Sequence, residues 1–276
     1  MALAFYPEFH DYISLPEEEP IDWISVTSVT GKYKQPFSPD QAKKSSKNKK
    51  SKWYGMTEDE VKQAWYNESK RATDLGTWYH DQREQDLCEL YSIERQGVLL
   101  PVISPIFVEG VKHAPVQKLE EGVYPEHLVY LKSAGVCGQS DVVEVVKGLV
   151  NITDFKTNKE LKMEGYRNWE GITTKMLHPM NHLDDCHMSH YALQLSMYMY
   201  MILKHNPRLK PGKLIIHHVT FEEAGRDKFD NPITLRNEQG EPVVKAVIPY
   251  ELPYLKSEVI ILLNHLQNNR ESFKKK

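Results

Sequence analysis

The chain has 276 residues, 40% hydrophobic and 26% charged, with a formal net charge of −3 at pH 7; this allows a substantial core in one compact domain and argues against a fibrous or disordered polymer. No apolar run approaches bilayer thickness and the N-terminal residues carry no signal-peptide pattern, so the expected place is the cytoplasm, or a host's cytoplasm for a viral protein, with no membrane partner. Three cysteines, Cys88, Cys137 and Cys186, odd in number and never spaced CxxC, argue against a disulfide framework or an iron–sulfur cluster, and the acidic balance requires any nucleic-acid partner to be held by a local basic surface.

Residues 1–56 form an N-terminal segment ahead of the main domain expected over 57–276. Its first part, to about Pro39, is rich in Pro, Glu and aromatic residues, with one short strand-like or helical stretch at Trp23–Val29. The run KKSSKNKKSK then sets six lysines, Lys43, Lys44, Lys47, Lys49, Lys50 and Lys52, among Ser and Asn. It is too polar to bury and is expected as a mobile loop, either merely solvated or gripping phosphate. Thr57 with Glu60 forms a capping-box pattern that starts a helix running to Asp74, and Gly76 is expected to interrupt it. A second helix from Thr77 to about Glu94 would carry His80, Glu84, Leu87 and Tyr91 on one face.

Between Leu99 and Phe155 the β-branched content rises, with strands expected at His127–Lys132, Val142–Val146 and Leu149–Phe155. An irregular stretch follows to about Met188. The segment SHYALQLSMYMYMILKH reads as a buried helix ending before Pro207. Lys213–Phe221 reads as a strand, Asp227–Val247 as a polar hairpin region and Leu252–Asn268 as a closing amphipathic helix. The chain has no internal repeat and no GxxxxGK[ST] loop, so no bound nucleotide is expected.

The passage GQSDVVEVVKGLVNITDFKTNK, Gly138–Lys159, carries the chemistry. With Lys147-Gly148 as the turn of a two-residue hairpin, Val146 faces Leu149 and Asp141 comes opposite Asp154. Asp141, Asp154 and Lys156 then share a face with Val143, Val145, Val150 and Ile152; the apolar members go to the core and the polar ones gather at the open end. Facing carboxylates have carbons roughly 5 Å apart and repel by about 3 kcal/mol at an effective dielectric of 20. A divalent cation removes that penalty, and oxygen ligands suit Mg²⁺ or Mn²⁺. The plain alternative is that Lys156 simply pairs with two loop carboxylates. In the following helix, Gln194 among apolar neighbours needs a specific hydrogen-bond partner.

GxxD, a hairpin and DFKT together resemble the core of the PD-(D/E)XK nuclease superfamily. GTWYHDQRE, Gly76–Glu84, is similar to the GTxxHxxxE signature of its RecB-type branch, and Gln194 with Tyr198 to that branch's QxxxY motif. The three motifs span residues 76–198. Asp154 stands where many relatives have Glu, and the four-cysteine cluster of many RecB-type members is missing, which points to the clusterless, lambda-type phage exonucleases.

The resemblance implies an α/β fold, a central mixed sheet flanked by helices with a restriction-endonuclease-like core. It implies that His80, Asp141, Asp154 and the backbone carbonyl of Phe155 hold Mg²⁺ or Mn²⁺, that Lys156 orients water, and that Gln194 and Tyr198 hold the lysine, metal or substrate in place. Glu84 is either a partner orienting His80 or a solvated residue. The implied activity is hydrolysis of DNA, double- or single-stranded, by an exonuclease acting at ends in recombination, repair or phage DNA processing, with a single-strand-annealing or recombination protein as a partner. The alternatives are an endonuclease and a non-catalytic scaffold. His178, His182, Asp184, Asp185, Cys186, His187 and His190 form a polar cluster whose spacings match no standard zinc site.

Overall fold

The computed structural model describes residues 3–9, 11–15, 18–38 and 40–273; Pro39, the expected end of the first segment, lies outside them. In chain order come strands β1 (Leu3–Tyr6), β2 (Asp11–Ser14) and β3 (Ile24–Ser25), then helices α1 (Val26–Gly31), α2 (Gln41–Lys47) and α3 (Glu58–Cys88). Strands β4 (Ser92–Arg95), β5 (Val98–Pro101), β6 (Ile106–Val108), β7 (Val111–His113), β8 (Gly122–Leu131), β9 (Val136–Val146) and β10 (Leu149–Lys156) follow. Helix α4 (His187–His205), strands β11 (Lys210–Phe221), β12 (Glu223–Arg226), β13 (Pro232–Thr234) and β14 (Val244–Leu252), and helix α5 (Lys256–Asn268) complete the chain.

The protein is a mixed α/β fold. Its main sheet has the order β14-β11-β10-β9-β3, with β8 also paired to β9. The β10–β11 and β3–β9 pairs are parallel and the other pairs antiparallel. Beside it lies a small antiparallel sheet of order β2-β1-β7-β6. The main core joins the sheet to α1, α4 and α5 through residues such as Val29, Val143, Ile152, Leu195, Met199 and Leu262. A smaller cluster on α3 and the sheet contains Tyr79, Val142, Val146, Phe155 and Val219. No helix among the described residues is long and apolar enough to cross a membrane.

The hairpin register follows from its turn. Lys147 and Gly148 both have positive φ, 50° and 73°, as a two-residue turn matching strand twist requires, and Leu149 pairs with Val146 through to Thr153 with Val142.

Three expectations need correction. Helix α3 is continuous over 31 residues from its Thr57–Glu60 capping box, so Gly76 does not interrupt it. A Cβ there would lie 3.2 Å from Thr157 Oγ1, so the glycine allows close approach of α3 to the end of β10. The helix stops at Cys88 rather than near Glu94, because Ser92–Arg95 pairs with Val98–Pro101 across Gln96 and Gly97, again both at positive φ. The lysine-rich segment is not simply a mobile loop: Gln41–Lys47 is helical, and Ala42 and Trp53 are buried against Val61 and Ala64 of α3.

Candidate metal centre

Three adjacent strands bring three carboxylates into a row. Asp141 and Asp154 occupy the next rung beyond the last paired one, Val142 with Thr153. There the ladder ends, and Asp141 Oδ2 accepts a hydrogen bond from the Phe155 amide at 2.7 Å. On the other side of β9, Pro125 pairs with Val142 and His127 with Ser140, which puts Glu126 opposite Asp141. Glu126 has a φ of 47°, a left-handed conformation that costs a non-glycine residue about 1–3 kcal/mol and is concentrated at functional sites. Core-facing parity reverses there: Tyr124 and Val143 lie in the main core, but so do Val129 and Val136.

Helix α3 adds His80. Its Nδ1 lies 3.2 Å from Asp141 Oδ2 and its Nε2 3.1 Å from the Phe155 carbonyl oxygen. Lys156 Nζ lies 2.5 Å from Asp154 Oδ2 and 5.1 Å from the centroid of the Tyr191 ring. Glu126 accepts a short hydrogen bond from the Gln139 amide. His80, Glu126, Gln139, Asp141, Asp154 and Lys156 line an open cavity of about 700 Å³ that also takes in Gln194 and Tyr198.

The electrostatics follow from burial and proximity. Burial and the neighbouring Asp141 carboxylate push Glu126 up to about 8. The same two causes raise Asp154 to about 6, with Lys156 acting against them. Burial opposes ionisation of Asp141, yet the His80 ring and the Phe155 amide hold it below the usual carboxylate range. For His80, burial disfavours the imidazolium, but Asp141, Asp154 and Glu126 together raise it to about 9. For Lys156, burial likewise opposes the charge and Asp154 with Asp141 overbalance it, raising its pKa.

The donor set fits a hard divalent cation. The ligand atoms of His80, Glu126 and Asp141 lie within 4.8 Å of one another, and the buried carboxylates repel one another without a cation between them. Asp154, held by Lys156, borders the same cavity, and the Phe155 carbonyl lies against the His80 ring.

The sequence did not point to Glu126, because a left-handed residue in a ten-residue strand has no pattern of its own. Tyr191, whose ring lies beside the Lys156 ammonium, likewise belongs to no pattern in the sequence. Glu84 neither orients His80 nor stands free in solvent: it lies 3.1 Å from the ammonium of Lys112 on β7, a lysine whose side chain is 5% exposed. The Gln194 amide donates to Tyr198 Oη at 3.3 Å. Among the six lysines of the 43–52 run, Lys52 donates to the Phe229 carbonyl and to Asn231 Oδ1, both at 3.0 Å.

The histidine-rich stretch before α4 is divided among separate partners: His190 with Asp185 at 2.6 Å, His182 with Glu258 at 3.4 Å and Lys175 with Asp184 at 2.5 Å. His187 Nδ1 accepts from the Lys162 amide at 3.1 Å.

No family model and no curated protein matches the chain. A solved structure described as the crystal structure of SSO0001 aligns over 91% of this chain and 79% of its own, at 13% identity and a TM-score of 0.30, a likeness too slight to carry an argument.

Proposed function

We propose that this chain is a metal-dependent DNA nuclease with a restriction-endonuclease-like, PD-(D/E)XK-type core, acting as an exonuclease at DNA ends. The observation that carries the reading is the row Glu126, Asp141 and Asp154 on adjacent strands, closed by His80 on one side and Lys156 on the other. A protein that needed only a scaffold would gain nothing from three buried carboxylates in mutual repulsion and a left-handed Glu126.

His80, Glu126 and Asp141, with Asp154 and the Phe155 carbonyl beside them, would hold Mg²⁺ or Mn²⁺. Such an ion supplies Lewis-acid polarisation of a phosphoryl oxygen and lowers the pKa of bound water. Lys156, cationic and fixed against Asp154, donates hydrogen bonds to a water or to a phosphate oxygen entering the cavity and counters charge that develops there. The Tyr191 ring, beside that ammonium, limits where it can point. Tyr198 is buried against Gly138 and holds Gln194 at the cavity wall.

The test is digestion of end-labelled linear DNA and covalently closed circular DNA by the purified protein in Mg²⁺ or Mn²⁺, with excess EDTA as control. The expected result is degradation of the linear substrate alone, abolished by EDTA. Cutting of the circle would replace the exonuclease reading by an endonuclease, and binding without cleavage of either substrate would overturn the enzyme reading.

A further inference from the structure

A lysine-bearing spur stands at the far end of α3 from the candidate centre, and we propose that it grips the phosphate backbone of double-stranded DNA about ten base pairs from the cut. The inference rests on the nuclease reading above.

Residues 41–57 hold six lysines and no acidic residue, in a chain whose net charge is −3. They are built onto the fold. Ala42 and Trp53 are buried against Val61 and Ala64, with Phe229 packed on the cluster, and the Lys52 ammonium lies 4.6 Å from the Trp53 ring centroid and bonds to Phe229 and Asn231. Lys43, Lys44, Lys47, Lys49 and Lys50 are left exposed. Glu58, the first acid beyond them, forms an ion pair with Lys62 at 2.6 Å.

Helix α3 sets the distance. The 22 steps from Glu58 to His80, at about 1.5 Å per residue, make roughly 33 Å. Duplex DNA rises about 3.4 Å per base pair, so the separation corresponds to about ten base pairs.

Two surface depressions lie between the two ends, and the carboxylates Glu68 and Asp74 that line the first are ion-paired with Arg71 and Lys70. A depression of about 500 Å³ runs between α3, at Asn67 and Arg71, and the β12–β13 hairpin, and includes the Phe229 and Asn231 that Lys52 holds. A second, of about 270 Å³, shares Arg71 and Leu75 with the first and reaches Thr157 and Lys159. Thr157 abuts Gly76, whose neighbour Thr77 lines the cavity of the candidate centre together with His80.

The chemistry favours a duplex. Five ammonium groups within eight residues are point charges suited to phosphate, and a duplex presents about one phosphate per 1.7 Å of axis.

The experiment measures binding, not cleavage: fluorescence anisotropy of labelled duplexes from 6 to 20 base pairs in EDTA, for the wild type and for a variant with Lys43, Lys44, Lys47, Lys49 and Lys50 changed to Ser and Lys52 kept. Wild-type affinity is expected to rise at least about tenfold between 8 and 14 base pairs, as each further phosphate that a lysine neutralises releases counterions. The variant is expected to lack that step, and its salt slope on a 16-base-pair duplex to fall by about 0.9 for each phosphate left without its lysine. A wild-type affinity without the step, or a folded variant that keeps both step and slope, would overturn the proposal. The wild-type series decides alone if the variant does not fold. A length step without cleavage in Mg²⁺ or Mn²⁺ overturns only the nuclease reading, and cleavage without the step overturns only the spur.

Discussion

Glu126 and His80 each hold a proton that a bound cation would have to displace. Glu126 is raised from 4.5 to about 8 and His80 from 6.5 to about 9, so between pH 6.5 and 8 the metal-free folded chain holds protons that the unfolded chain has released. Stability from a raised pKa is fully present below the unfolded value and is lost as pH rises through the folded one. The metal-free protein should therefore lose stability from about pH 4.5, the unfolded value of Glu126, to pH 9, and Asp154, raised from 3.8 to about 6, contributes in the same direction over the lower part of that range. A divalent cation needs His80 neutral and Glu126 ionised, so its stabilisation should grow with pH. The expected outcome, read by thermal melting in EDTA and in Mg²⁺ or Mn²⁺, is a Tm that falls toward pH 9 without metal and a metal-induced rise larger at pH 8.5 than at pH 6. Glu126→Gln should flatten the EDTA curve. A Tm that rises with pH in EDTA, or a metal effect independent of pH, would contradict this assignment.

At the scale of elements, β9 and α4 are locked by one glycine. A Cβ on Gly138 would come 2.6 Å from Tyr198 Cε1, and Tyr198 is 3% exposed and packed in the main core, so the ring would have to leave its place there and shift along the cavity wall. Gly138→Ala should destabilise the protein by about 1–3 kcal/mol, the usual cost of overpacking, measured as a drop in denaturant unfolding free energy. Adding Tyr198→Leu should make the pair less destabilising than the sum of the single changes, a positive coupling expected of residues that touch; simple additivity would show that the glycine matters for another reason. The helices were less legible than this pair. The capping box at Thr57 was readable, but Gly76 looked like a break because its helical cost of about 1 kcal/mol is visible in sequence, whereas its neighbour Thr157 lies 81 residues along the chain. Gln96-Gly97 was overlooked as a turn because helical spacing of Leu87 and Tyr91 masked it.

Across the whole molecule, the Lys147-Gly148 hairpin was legible because a two-residue turn and side-chain alternation fix register locally. Glu126 lies 15 residues before Asp141 and enters through a strand pairing that no local rule dictates. The lysine run looked solvated because its composition is polar: only Ala42 and Trp53 at its two ends are buried, against Val61 and Ala64 of α3, with Phe229, remote in sequence, packed on them. The local part of the candidate centre was thus readable and its long-range completion was not. The Asp154–Lys156 end of the row is tested by single-turnover cleavage of end-labelled linear duplex DNA in Mg²⁺ by the wild type, Asp154→Asn and Lys156→Ala, each first checked for folding by circular dichroism. The wild type is expected to cleave and each folded variant to lose about 10²–10⁴-fold or more in rate; cleavage at the wild-type rate by either folded variant, or by the wild type in excess EDTA, would show that these residues and a cation do not carry the chemistry.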